Sequence, residues 1–117
     1  MLAIVEDDVS ARAALHSLVG AMGFTGVGFP DAASFLAFGN LRQVRCLIAD
    51  VRLPGISGPQ LHLRLRAAGW SIPTILVTAY PDPTSARTAL RSGVQAYLAK
   101  PVQPEELLAC LRTALQP

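Results

Sequence analysis

The reactive side chains of this 117-residue sequence are few and stand at regular places. Three of its eight acidic residues are consecutive, Glu6-Asp7-Asp8. Asp50, Thr78 and Lys100 each close a short apolar run, and Lys100 is the single lysine beside nine arginines. Carboxylates held close together repel one another and raise each other's pKa. A hard divalent cation removes that conflict, and Mg2+ is commonly held by one or two carboxylates with water and a phosphate. Aspartate is also a nucleophile that forms an aspartyl phosphate. A phosphoryl group arriving at Asp50 would meet positive charge from Mg2+ and Lys100 and a hydroxyl donor in Thr78. Positioning and electrostatics of that kind are most of what phosphoryl transfer requires. Singly, these residues have plainer readings. The acidic triplet can be the solvated start of a helix with Asp8 as its cap, and Asp50 and Thr78 can be ordinary strand ends. The chemistry depends on whether the fold gathers them.

Short apolar runs alternate with amphipathic stretches along the chain. Leu2 to Val5, Thr25 to Phe29, Arg45 to Asp50, Pro73 to Thr78 and Gln95 to Ala99 read as strands. Val9 to Met22, a stretch capped by Asp31 and running to about Phe38, Pro59 to Ala68, Asp82 to Ser92 and Pro104 to Leu115 read as helices. The first helix places Ala11, Leu15, Leu18 and Met22 on one face, turns Arg12 and His16 away, and ends at Gly23. The third turns Leu61, Leu65 and Ala68 inward. The last turns Leu108, Leu111 and Leu115 inward, with Pro104 in its first turn and Glu105 and Glu106 at its positive end. His16 and His62 read as surface residues on polar helix faces. The strands are continuous apolar runs, as strands buried on both faces should be. Regular alternation of strand and helix predicts an α/β fold, a doubly wound parallel sheet with helices on both faces. Ligands of such sheets bind at the carboxyl ends of the strands. Parallel strands present those ends on one edge, so Glu6, Asp7, Asp50, Thr78 and Lys100 are expected in one pocket.

The bulk composition supports a single domain over 1–117: 51% hydrophobic and 15% charged residues suit a buried core and not a disordered chain. No apolar run approaches the ~18 residues of a membrane span, and no signal peptide is visible. A net charge of +2 with scattered arginines is no nucleic-acid footprint. Cys46 and Cys110 lack metal or redox spacing and read as reduced, mostly buried thiols of a cytoplasmic protein.

As an ordered set, IVEDD (4–8), LIADVRLPGISG (47–58), ILVTAY (75–80) and AYLAKP (96–101) resemble the motifs of the receiver domains of two-component response regulators, over essentially the whole chain. The resemblance implies a five-stranded sheet in the flavodoxin-like order 2-1-3-4-5. It implies that Asp50 is the phosphoacceptor and that Glu6 and Asp7 are the acidic pair. Asp7, Asp50 and the backbone carbonyl of Arg52 would ligate Mg2+, and Glu6 would do so through water. Thr78 and Lys100 would contact the phosphoryl group. Tyr97 would be the switch aromatic that turns when Thr78 moves, changing the surface of the fourth helix, fifth strand and fifth helix. Pro54 and Gly58 match the loop after the phosphoacceptor, and the Lys100-Pro101 bond is expected cis. The implied partner is a histidine kinase or phosphotransfer protein carrying the donor phosphohistidine, a role that neither His16 nor His62 fits. Homodimerisation on phosphorylation is a family expectation. Contact with nucleic acid by this domain alone, or with a membrane, is not expected. The LPGISG and LAKP segments look most like those of regulators with a LuxR-type helix-turn-helix output, so the chain is expected to be a stand-alone receiver or a part of a longer regulator.

Three departures stand out. Position 6 is Glu where Asp is more usual. Pro81 and Pro83 flank Asp82 where relatives carry Gly or Ala, which predicts a stiffened loop and a helix start near Pro83 or Thr84. Arg52 and Tyr80, at the variable positions flanking the site, are both bulky. Two other functions compete. One is a degenerate receiver serving as a phosphorylation-independent protein-binding module. The other is an aspartyl-phosphate phosphatase of the haloacid-dehalogenase type, which usually has a second Asp where this chain has Arg52. The leading expectation is therefore a signalling domain that assists its own phosphorylation and dephosphorylation and is otherwise no enzyme.

Overall fold

The computed structural model describes residues 1–116. Its strands are β1 (Leu2–Val5), β2 (Gly26–Phe29), β3 (Cys46–Asp50), β4 (Thr74–Thr78) and β5 (Ala96–Ala99). Its helices are α1 (Val9–Ala21), α2 (Ala32–Leu36), α3 (Gly58–Ala67), α4 (Pro83–Arg91) and α5 (Pro104–Ala114). All strand pairs are parallel, in the order β2-β1-β3-β4-β5. The predicted α/β doubly wound architecture and strand order are therefore what the chain adopts. Strands β1, β3 and β4 are buried at every residue, whereas the edge strands β2 and β5 are partly exposed. That difference follows from position: a central parallel strand has helices on both faces and neighbours on both sides.

The sheet separates two apolar layers. Leu2, Ile4, Ile48, Ile75 and Val77 meet Leu15 and Val19 of α1 and Leu107 and Leu111 of α5. Val5, Leu47, Ala49 and Leu76 meet Phe35 of α2, Leu61 and Leu65 of α3 and Ala89 of α4. Caps set the helix starts. Asp8 accepts from the Ala11 amide, Asp31 from Ser34 and Asp82 from Ser85, and Ser57 with Gln60 forms a capping box. The α4 start at Pro83 is where the two prolines place it, since Pro tolerates the first turn of a helix. No helix among the described residues is long and apolar enough to cross a membrane.

Several helix faces differ from the sequence expectation. α2 ends at Leu36, and Phe38 instead packs edge-to-face on Phe29 with ring centroids 5.2 Å apart. A 3-10 turn at Leu41–Gln43 was not foreseen. In α1 the fully buried residues are Leu15 and Val19, while Ala11, Leu18 and Met22 are only half-buried. In α5, Leu107 takes the central place assigned to Leu108. Ala68 is exposed at the α3 C-cap, and His62 is buried at 4% exposure, which corrects the surface reading of that histidine. The reason is that α3 packs on two neighbours. Leu61 and Leu65 face the sheet, and His62 lies beside α4, in a cleft shared with Thr84, Ser85 and Thr88. His16 is exposed as expected, with Nε2 3.0 Å from the Gly26 carbonyl. Cys46 is buried, Cys110 is half-buried, and both are free.

Candidate functional site

The site is built from strand ends. β1 runs out at Val5, and Glu6 continues it by one bond, its amide donating to the Phe29 carbonyl at 3.0 Å. Glu6 is fully buried. Its Oε2 accepts from the Asp8 amide at 3.2 Å, so the chain folds back at once into α1. Asp7, between them, is exposed. β3 ends in Asp50, which is 7% exposed. Asp50 Oδ1 accepts from the Arg52 amide at 3.1 Å and Oδ2 from Lys100 Nζ at 3.0 Å. The amide of Val51 holds the Val77 carbonyl at 2.9 Å, and the Gly58 amide holds Val51 at 3.1 Å. Pro54 and Gly55 form the exposed tip of the intervening loop. The return of that loop requires Gly58, because a Cβ there would sit 2.3 Å from the Asp50 carbonyl oxygen.

Lys100 follows β5. Its amide donates to the Thr78 carbonyl at 2.8 Å, and the Lys100-Pro101 bond is cis. The ammonium bridges Asp50 and Glu6, forming ion pairs with both. Burial pushes the Glu6 carboxyl above its usual range, Lys100 pulls it back, and the neighbouring Asp50 adds to the rise. Burial works against the Lys100 charge, but the two carboxylates outweigh it and hold the ammonium above its usual pKa. The fold thus brings Glu6, Asp7, Asp50 and Lys100 together. Carboxylate oxygens of the three acids lie within 4.8 Å of one another. That donor set fits a hard divalent cation: hard oxygens only, with two acids buried and one open to water.

Thr78 is buried at the end of β4, next to Val77, the register partner of Asp50. Its hydroxyl oxygen accepts from the Tyr80 amide at 3.0 Å. Among the described residues the Thr78 hydroxyl makes no hydrogen bond to the side chain of Asp50 or Lys100. Tyr97 is half-buried on β5 against the layer that contains α2, α3 and α4. Two features were missed in the sequence. Arg52 lies over the ring of Tyr80, with Cζ 4.3 Å from the centroid. Arg12 does not turn away but donates to the Glu6 carbonyl at 2.7 Å. A signal for the second existed in Gly28, a glycine inside a strand, which marks close approach of another group.

Residues 2–112 match the family described as the response regulator receiver domain. The response regulator protein TodT of Pseudomonas putida is 36% identical over 113 residues, covering 97% of this chain and 50% of that protein. The transcriptional regulatory protein FixJ of Bradyrhizobium diazoefficiens is 30% identical, with 97% of this chain and 55% of that protein covered. Among solved structures, the response regulator StyR superposes with a TM-score of 0.89 at 34% identity, over 98% of this chain and 58% of that one. The structure of FixJ-N superposes with a TM-score of 0.86 at 28% identity, over 97% of this chain and 91% of that one. The chain spans about half the length of the curated relatives it matches. With a family match over nearly its full length and the strand-end acids and lysine in one pocket, this chain belongs to the receiver domains of response regulators.

Proposed function

We propose that the chain is a phosphorelay receiver that accepts a phosphoryl group on Asp50 and transmits its presence through the α4-β5-α5 surface. Receiver domains are signalling modules rather than classical enzymes, and they typically take phosphate from a histidine kinase. The supporting observation is the Asp50 carboxylate itself: nearly buried, with one oxygen held by the Arg52 amide and the other by Lys100. In the transfer, an Asp50 oxygen attacks phosphorus. The P–N bond of a phosphohistidine on a kinase or phosphotransfer protein breaks, and the imidazole nitrogen keeps the bonding pair. Lys100 moves from pairing two carboxylates to pairing the new phosphoryl oxygens, and the Thr78 hydroxyl donates to another. Receiver domains bind Mg2+ in an acidic pocket. Here Asp7, Asp50 and the Arg52 carbonyl would hold the ion, with Glu6 acting through water, and the ion would offset charge on the phosphoryl group.

The Asp50 carboxylate already carries one negative charge and the acyl phosphate carries about −2, so the switching event is a net added charge of about −1 spread over new acceptor oxygens. The Thr78 hydroxyl oxygen accepts from the Tyr80 amide, and in moving its free proton toward the phosphoryl group the hydroxyl leaves that amide. That frees the β4–α4 loop, and Tyr97 turns into the space. Phosphorylation-driven homodimerisation through that surface and a cytoplasmic setting belong to the same reading, as does one phosphoacceptor unit over 1–117. The test is intact mass after incubation with Mg2+ and acetyl phosphate. A single phosphoryl adduct on the wild type, absent from Asp50→Ala, is the expected result. No adduct would leave a phosphorylation-independent binding module, and steady phosphate release would indicate a phosphatase.

A further inference from the structure

Asp7 is the acid whose placement the structure leaves to its backbone. It is exposed, and among the described residues its carboxylate has no hydrogen-bond partner. The place from which its side chain starts is set by the Glu6-Asp7 peptide, which is a rigid plane. That plane is held by its carbonyl oxygen. Arg12, one turn into α1, reaches back so that Nη1 donates to the Glu6 carbonyl at 2.7 Å. On the other side of Glu6, the amide is held by the Phe29 carbonyl at 3.0 Å. The Arg12 stem reaches this position by lying over Gly28 of β2. A Cβ at Gly28 would stand 3.0 Å from Arg12 Cδ and 3.1 Å from Cγ, closer than ordinary packing. A glycine weakens a strand unless something occupies the space it leaves, and here that something is the arginine stem.

We infer that Arg12, cradled on Gly28, is a positioning residue for the acidic pair: it orients the Glu6-Asp7 peptide and so the carboxylate offered to Mg2+. This rests on the Mg2+ reading above. A group that orients a metal ligand from behind is commonly worth about 10–100-fold in metal affinity. Arginine suits the task because its long stem can cross a strand while its head donates to a carbonyl.

The test is calorimetric titration of the whole chain with Mg2+. Wild type should bind, and Asp7→Asn should lose binding. Arg12→Met keeps a stem over Gly28 but no donor, and should weaken binding about tenfold. Arg12→Lys should recover part of the loss, since an ammonium can still donate to the carbonyl. Gly28→Ala, which displaces the stem without touching a ligand, should shift affinity in the same direction by less. In Mg2+-free protein, the amide resonances that move in Arg12→Met should centre on Glu6, Asp7 and Asp8. If wild type binds, Asp7→Asn does not, and both Arg12→Met and Gly28→Ala bind like wild type, the positioning role is overturned. If wild type itself fails to bind Mg2+, the underlying reading falls first. Should Arg12→Met unfold, the Gly28→Ala titration decides the matter alone.

Discussion

The two sides of the pocket are built differently. On the acid side, where β1 and β3 end, the buried acids Glu6 and Asp50 have fixed partners, and only the exposed Asp7 carboxylate is left open. The Glu6 main chain is held from both directions, and Asp50 has both oxygens engaged. Helix α3 then closes over the Asp50 carbonyl with Gly58, Leu61, His62 and Leu65 all buried. On the response side, where β4 and β5 end, α4 buries only Ala89 among its residues. It is tied to α3 by the Arg66 guanidinium on the Ser92 carbonyl, across a cleft of about 230 Å³. Its start is held by the Asp82 cap, and Thr78 is latched to the Tyr80 amide. Elements that move on a functional signal come from the weakly packed end of a structure. The contrast fits the proposed function, in which Asp50 accepts the phosphoryl group and stays still while the α4 side yields.

The comparison can be broken most directly by adding or removing one methyl group on each side. Gly58→Ala puts a Cβ 2.3 Å from a main-chain oxygen. Backbone cannot step aside as a flexible side chain can, so a loss of about 3 kcal/mol is expected. Ala89→Gly, the matching change at the one buried residue of α4, should cost about 1 kcal/mol through helix propensity. Chemical denaturation of the two variants measures both, and equal costs would mean that the two sides are equally rigid.

Lys100→Arg is next. It keeps the charge but replaces a compact ammonium, bridging Glu6 and Asp50, with a planar fork that needs more room. The variant should fold and still accept a phosphoryl group from acetyl phosphate. The phosphorylation-dependent change in α4 and β5 amide resonances should fall on the order of tenfold, because small misplacements at such a centre are costly. Switching at the wild-type level would mean that charge alone is sufficient.

His62 probes the seam between the two sides. Its Nδ1 is buried with no hydrogen-bond partner among the described residues, and such an atom costs about 1 kcal/mol or more. Replacement by Leu should therefore stabilise the protein by about 1 kcal/mol. Burial holds the His62 pKa below 6.5, and the Arg66 charge on the same helix adds to the effect. Facing it from α4 and the turn beyond are Thr84, Ser85, Thr88 and Ser92, and no carboxylate among the described residues lines the cleft. A native pKa below the unfolded one means that the unfolded chain takes the proton first. The histidine's contribution is complete above pH 6.5 and declines as the pH falls below it, levelling off beneath the native pKa. Denaturation midpoints followed from pH 8 to 5 should show a shallower decline in His62→Leu than in wild type.

His62 also shows what the sequence could not carry. The strands and the gathering of Glu6, Asp50 and Lys100 were legible because one physical rule, burial of a parallel sheet on both faces, shapes both the apolar runs and the common edge. A helix pattern identifies one buried stripe and not its width. His62, between Leu61 and Leu63, reads as part of a polar helix face, yet it lines the cleft against α4. Periodicity turns Arg12 outward for the same reason, since it says nothing of a long side chain that doubles back. Leu107 against Leu108 is a rotation of a single residue, below what spacing alone resolves.

The smallest expected effect lies where the two sides touch. Arg52 belongs to the loop after β3 and Tyr80 to the loop after β4, and the guanidinium carbon stands 4.3 Å from the ring centroid. Tyr80 is 65% exposed and Arg52 is exposed too, so this pair lies at the surface and not in the core. An exposed cation–π contact is worth about 0.5–1 kcal/mol, which corresponds to roughly a two- to fivefold change in the closed population. If the stack shields an acyl phosphate on Asp50 from water, Arg52→Ala and Tyr80→Ala should each speed its loss by about that factor. The double variant then sharpens the point. Two independent shields would multiply their effects, whereas partners in one stack should leave the double variant close to either single one. Phosphoryl half-lives followed by intact mass distinguish these cases. Unchanged half-lives in both single variants would mean that the stack shields nothing, and that the two sides of the pocket meet without acting on each other there.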